Sequence, residues 1–252
     1  MKPILLILIF FTLGSSCKKN DIHSQMPATQ APHQPGNNDT TTTATNGNRQ
    51  YTYLALGDSY TIGQNVPAAE NYPNQLTKIL RNDNLQGTAK IIATTGWTTG
   101  NLEKGITAAS ERGEVDSVYN IVTLLIGVNN QYQGEPSTLY PPKFESLLKR
   151  SIELAGNKPE HVIVISIPDW GATPFAGVRN REEIAKEIDE YNAINKNLAL
   201  KYGAGYLYVT DWTREATTDP SLLASDNLHL SGKEYERWAK RLADMTRDYL
   251  KQ

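Results

Sequence analysis

The sequence predicts an α/β protein, a three-layer α/β/α sandwich with a mostly parallel five-stranded sheet. Three observations carry this. Five apolar runs of strand length recur from residue 51 onward, at 51–56, 90–94, 119–126, 161–167 and 205–209. Helix-period segments separate them, at 73–81, 101–112, 142–154 and 181–202. Unbroken apolar strands are expected where helices cover both faces of a sheet, and strand–helix alternation joins parallel strands by crossovers. The third observation is the set of residues directly after each run: Gly57-Asp58-Ser59-Tyr60, Thr95-Gly96-Trp97-Thr98, Gly127-Val128-Asn129-Asn130, Pro168-Asp169-Trp170-Gly171 and Asp211-Trp212. Ligands of such sheets bind beyond the carboxyl ends of the strands, and these ends are rich in glycine, polar groups and indoles.

The N-terminal part has a different character. The chain has 252 residues, 39% hydrophobic and 21% charged, with a formal net charge of -2. That balance gives no electrostatic basis for binding nucleic acid. Residues 4–13 are nearly all apolar after a short basic start. The run is too short to span a bilayer, which takes about 20 residues, but it suits the core of an export signal. Cys17, the single cysteine, comes after the small residues Gly14, Ser15 and Ser16, so no intramolecular disulfide is available. The arrangement resembles a bacterial lipobox. Residues 1–17 are therefore expected to be a lipoprotein signal, with lipidation at Cys17 anchoring an exported protein to an envelope membrane. Residues 18–50, with Pro27, Pro32, Pro35 and a run of threonines at 40–43, carry too little apolar surface to fold and are expected to be a polar tether. The rest, 51–252, is expected to be one domain.

Within that domain the first run ends at Gly57-Asp58-Ser59-Tyr60. Gly57 permits a tight turn, which places Ser59 at a strand end. The last helix is expected to start at Ser231, with Ser231 and Glu234 as a capping box. Tyr235, Trp238, Leu242, Met245 and Tyr249 then recur at helical spacing.

A serine hydroxyl becomes a nucleophile when a base takes its proton, usually a histidine held by a carboxylate. The domain contains only His161 and His229. His161 starts the fourth run, at the amino end of the sheet and away from Ser59. His229 lies in a loop before the last helix, and Asp226, three residues earlier, is within turn reach of it. An oxyanion needs donors, and the second and third runs end at Gly96 and Asn129. Two histidines far apart in sequence and no ligand cluster speak against a metal; no cofactor is expected.

Together these blocks resemble the SGNH/GDSL hydrolases over residues 51–250. Gly57-Asp58-Ser59-Tyr60 is similar to the first block, Gly96 to the second-block glycine, Gly127-Val128-Asn129 to the third, and Asp226 with His229 to the fifth. The resemblance implies the flavodoxin-like SGNH fold and ester hydrolysis. Ser59 is the implied nucleophile, His229 the base and Asp226 its partner, with Ser59, Gly96 and Asn129 forming the oxyanion hole. Asn130 departs from the usual Asp, and Tyr60 from the usual Leu. Tyr60, Trp97, Asn130, Asp169 and Trp170 are the expected substrate contacts, with Tyr132 and Phe175 in nearby loops. No long apolar lid helix is evident, which favours short-acyl esters on saccharides or small molecules. Lysophospholipid hydrolysis, acyl transfer on the same residues and non-catalytic carbohydrate binding are the alternatives.

Overall fold

The computed structural model describes residues 49–251. The expected signal with Cys17 lies outside these residues, as does the tether up to residue 48. The last two residues of the tether correct the domain boundary. Arg49 and Gln50 form a short strand, β1 (Arg49–Gln50), paired in parallel with β3 (Leu85–Gln86). Their polarity hid this, because a two-residue edge strand needs backbone groups and not an apolar face.

The main sheet contains β2 (Tyr53–Gly57), β4 (Ala89–Ala93), β5 (Ile121–Leu125), β6 (Val162–Ile165) and β7 (Gly205–Leu207). All neighbours are parallel, in the order β4-β2-β5-β6-β7. Every residue of β2, β5 and β6 is buried, as their unbroken apolar composition requires. The edge strands β4 and β7 are only partly covered.

The chain moves from the interior strand β2 to the edge at β4, then back across to the central strand β5. The order therefore reverses at the carboxyl end of β2, the place where such sheets open a crevice. The register sharpens this. Gly57 pairs with Ala93 on one side and Leu125 on the other, so three of the expected loops leave the sheet side by side.

The helices flank this sheet. They are α1 (Ser59–Ile62), α2 (Tyr72–Arg81), α3 (Thr99–Glu111), α4 (Val128–Tyr132), α5 (Pro141–Leu154), α6 (Arg181–Tyr202), α7 (Thr210–Arg214) and α8 (Gly232–Leu250). Helix α2 packs on α8, while α5 packs on both α3 and α6. The caps explain several boundaries. Asn71 accepts from Asn74 N at the start of α2. Asn180 accepts from Glu183 N at the start of α6, and Gly203, at φ 77°, ends that helix. Helix α3 begins two residues before the apolar pattern does, because Asn101 Oδ1 accepts from both Thr98 N at 3.1 Å and Thr98 Oγ1 at 2.7 Å.

The start of α8 differs from expectation. Ser231 is its N-cap residue, but the capping box is not formed. The Ser231 hydroxyl donates to Ser221 O at 2.8 Å. Glu234 is buried and accepts from Trp238 Nε1 at 2.9 Å. An indole one turn along the helix takes the carboxylate that the backbone would otherwise hold. Among the described residues, no helix is long and apolar enough to cross a membrane.

Candidate active site

Gly57 ends β2 with no room for a side chain. A Cβ there would lie 2.1 Å from Thr61 Oγ1 and 2.5 Å from Leu125 O. Asp58 then caps α1, its Oδ1 accepting from Tyr60 N at 3.0 Å. Ser59 is thus the first residue of a short helix mounted on the end of β2. Helix α1 stops after one turn at Gly63, at φ 71°.

The His229 loop is built by local bonds. Asp226 Oδ1 accepts from Leu228 N at 3.1 Å and His229 N at 3.0 Å. Asp226 Oδ2 faces His229 Nδ1 at 2.6 Å. Ala224 N donates to His229 O at 2.8 Å, and Leu223 bridges Leu230, which closes the loop on itself. Burial acts to raise the Asp226 pKa. The His229 side chain and the two backbone donors outweigh it and hold the group below the ordinary carboxylate value. A carboxylate that stays charged accepts the Nδ1 proton, and this leaves Nε2 as the free base. Asn65, at φ 64°, also donates its amide to Asp226 Oδ2. Nothing local in the sequence signals that contact, which spans 161 residues.

Ser59 and His229 line one cavity of about 150 Å³, together with Gly96 and Asn129. Gly96 sits at φ 79° in a turn closed by Trp97 N and Thr94 O at 3.2 Å. Asn129, in α4, donates Nδ2 to Trp97 O at 3.0 Å and more distantly to Asp58 Oδ2 at 3.4 Å. Tyr60 lies in the wall, its ring 5.1 Å from that of His229. Trp170 completes the expected residues found here, held by Nε1 donating to Gln131 Oε1 at 2.7 Å.

Three expected contacts are corrected. The Trp97 indole lies over Gly105 of α3, where a Cβ would come within 2.3 Å of the ring, and it faces a different surface hollow. Asn130 is buried and spends its amide on Thr99, accepting from the backbone N at 3.0 Å and donating to Oγ1 at 2.9 Å. Asp169 is buried, accepts from Gly171 N at 2.9 Å and pairs with Arg214 Nε at 2.9 Å. These three brace the loops instead of lining the cavity. Val128, Thr95 and Leu228 line it without having been singled out by sequence. Tyr132 and Phe175, noted only for their loops, line it as well. His161 sits ahead of β6, its ring stacked 4.5 Å from that of Tyr249 at the opposite end of the sheet.

One buried group is electrostatically unusual. Asp58 is fully enclosed, and burial pushes its pKa from an ordinary 3.8 to about 7, against the opposing hydrogen bonds from the backbone. Among the described residues, no cluster of three His, Cys, Asp or Glu side chains is placed to hold a metal ion.

Residues 55–237 match the profile of the GDSL-like Lipase/Acylhydrolase family. Among curated proteins, none matches the chain. Solved structures resemble it in fold. A lipolytic G-D-S-L protein from Veillonella parvula is 19% identical, with a TM-score of 0.59, covering 77% of this chain and 96% of its own. A lipase/acylhydrolase from Enterococcus faecalis is 16% identical, with a TM-score of 0.60 and coverage of 79% and 95%. An acetylxylan esterase from Geobacillus stearothermophilus is 16% identical, with a TM-score of 0.57 and coverage of 78% and 94%.

Proposed function

The chain belongs to the GDSL-like lipase/acylhydrolase family and is an ester hydrolase, and from that premise we propose that it cleaves short-acyl carboxylic esters through Ser59, His229 and Asp226. The observation that carries this reading is the 2.6 Å pairing of Asp226 Oδ2 with His229 Nδ1, with the same imidazole in the wall of the cavity that Ser59 lines. Ser59 Oγ attacks the carbonyl carbon as His229 Nε2 takes its proton. The carbonyl oxygen becomes an oxyanion, held by the Ser59 and Gly96 N–H groups and the Asn129 amide. Collapse expels the alcohol, which leaves with the proton from His229. Water, deprotonated by His229, then attacks the acyl-serine and releases the acid. Asp226 stays charged throughout and stabilises the imidazolium.

Cavity size supports the acyl length. The cavity, about 150 Å³ with a mainly apolar lining, has room for a short acyl group. Tyr132, Trp170 and Phe175 form the apolar wall, and aromatic faces accept either a short acyl chain or a sugar ring.

The test is the acyl-length profile of the full chain on 4-nitrophenyl esters from acetate to decanoate. We expect kcat/KM to peak between acetate and butyrate and to fall about tenfold or more by decanoate, since a chain longer than the cavity must crowd its aromatic wall, and overpacking of this kind costs about 1–3 kcal/mol. A profile that rises through eight carbons would identify a lipid esterase and sink the short-acyl assignment.

A further inference from the structure

Three rings that wall the cavity, Tyr132, Trp170 and Phe175, carry a cation that the hydrolytic reading does not use. Tyr132, Trp170 and Phe175 pack on one another, with Trp170 edge-on to both partners at 5.2 and 6.1 Å between centroids. The Arg179 guanidinium carbon lies 5.7, 5.5 and 5.7 Å from the centroids of Tyr132, Trp170 and Phe175. This position is built by the backbone. Gly177, at φ 57° and ψ -120°, occupies the first central position of a type II′ turn. Arg179 N closes that turn on Ala176 O at 3.0 Å. The loop is tied to the His229 loop as well, through Phe175 N donating to Asn227 O at 3.3 Å.

Among the described residues Arg179 forms no ion pair. Among these residues its guanidinium makes one hydrogen bond, from Nη1 to Phe175 O at a long 3.4 Å. Arg214, by contrast, is tied to Asp169, Asp189 and Asp211. A guanidinium carries five N–H donors around its rim. Aromatic contact favours the positive charge but offers its N–H donors no oxygen acceptor. Three rings also restrain the side chain in advance, so less rotamer freedom is lost when an anion arrives. Planar carboxylate and phosphate oxygens match such a fork.

We propose that Arg179 forms an anion subsite beside the aromatic wall of the cavity, so that the preferred esters carry a carboxylate or phosphate a short span from the scissile bond. The proposal rests on the ester-hydrolase reading. Arg179 acts on substrate selection and takes no part in proton transfer.

The experiment compares matched neutral and anionic esters on the full-length wild type, Arg179→Gln, Arg179→Lys and Arg179→Glu. For a charge on the acyl side, the pair is 4-nitrophenyl valerate and 4-nitrophenyl hemiglutarate. For a charge on the alcohol side, phenyl acetate is set against 3-acetoxybenzoate and 3-acetoxyphenyl phosphate, which separates carboxylate from phosphate. The readout is the anionic-to-neutral ratio of kcat/KM, in which leaving-group differences cancel between variants. For at least one pair, Arg179→Gln is expected to lower the ratio about tenfold, through KM more than kcat, as loss of a charged hydrogen bond does. Arg179→Lys should fall between, Arg179→Glu should lower it further, and 1 M NaCl should shrink the wild-type ratio because the site is exposed. Equal ratios in wild type and Arg179→Gln for every pair, with hydrolysis intact, would overturn the subsite and leave the hydrolase reading standing. Absence of hydrolysis of any ester by the wild type would overturn both.

Discussion

Ser59→Ala is expected to abolish ester turnover while the protein stays folded. The loss in kcat should be about 10⁴–10⁶-fold, the scale on which removal of an acyl-transfer nucleophile acts. The fold should hold, because the cap of α1 belongs to Asp58, whose Oδ1 takes the Tyr60 N–H. Gly57 and its close approach to Thr61 are also untouched. The measurement is kcat on 4-nitrophenyl acetate beside the thermal midpoint of both proteins. An unchanged midpoint with turnover above about a hundredth of wild type would move the nucleophile elsewhere, since the residual rate from binding and oxyanion donors alone is far lower.

Asp226→Asn should cost about 10⁴-fold in kcat with little change in KM. The local bonds fix which way the new amide faces. Leu228 N and His229 N both donate to Oδ1, so the asparagine oxygen must stay there. Its NH₂ then replaces Oδ2, opposite His229 Nδ1 and the Asn65 amide. Donor meets donor unless the imidazole moves its proton to Nε2, and that tautomer cannot accept from Ser59. The wild-type pH profile carries a matching expectation. Asp226 is held below the ordinary carboxylate value, so it stays ionised over about pH 5–8. A loss of activity on acidification within that range therefore does not come from Asp226. Titration of the 226 carboxyl within that window, monitored by carbon NMR, would contradict the assignment.

What could be read in advance divides along sequence distance. Asp226 and His229 meet within one turn, so a three-residue spacing was enough to pair them. Ser59, Gly96 and Asn129 were brought together by topology: apolar runs predict parallel strands, and in-register neighbours deliver their ends to one edge. The errors involve partners that no local pattern reveals. Asp169 is claimed by Arg214, 45 residues away, and Asn130 by Thr99, 31 residues away. Trp97 looked like a substrate platform until Gly105 supplied a bare helix surface for its ring. The capping box at Ser231 failed through nearer competitors, since Ser221, ten residues back, takes the serine hydroxyl and Trp238, one turn on, takes the Glu234 carboxylate. Residue type thus marked the correct loops, while the choice between lining and bracing was made by tertiary partners.

The enclosure of Asp58 sets how folding responds to pH between about 4 and 7. Its folded pKa of about 7 lies above the ordinary 3.8, so between these values the folded state holds a proton that the unfolded chain has released. Stability from this group is therefore fully present near pH 4 and declines as pH rises through about 7. The decline is on the order of a few kcal/mol, at 1.36 kcal/mol per unit. Asp58→Asn cannot ionise, and its amide oxygen can keep the Tyr60 N–H. Any mismatch of its NH₂ with Asn129 is independent of pH. The thermal midpoint of Asp58→Asn relative to wild type is expected to climb from pH 4 to about pH 7 and to level off above it. A difference that stays flat across that interval would mean that Asp58 ionises as freely in the folded protein as in the unfolded chain. The residue that mounts the nucleophile on its strand thus gives the hydrolase a built-in preference for folding in mildly acidic surroundings.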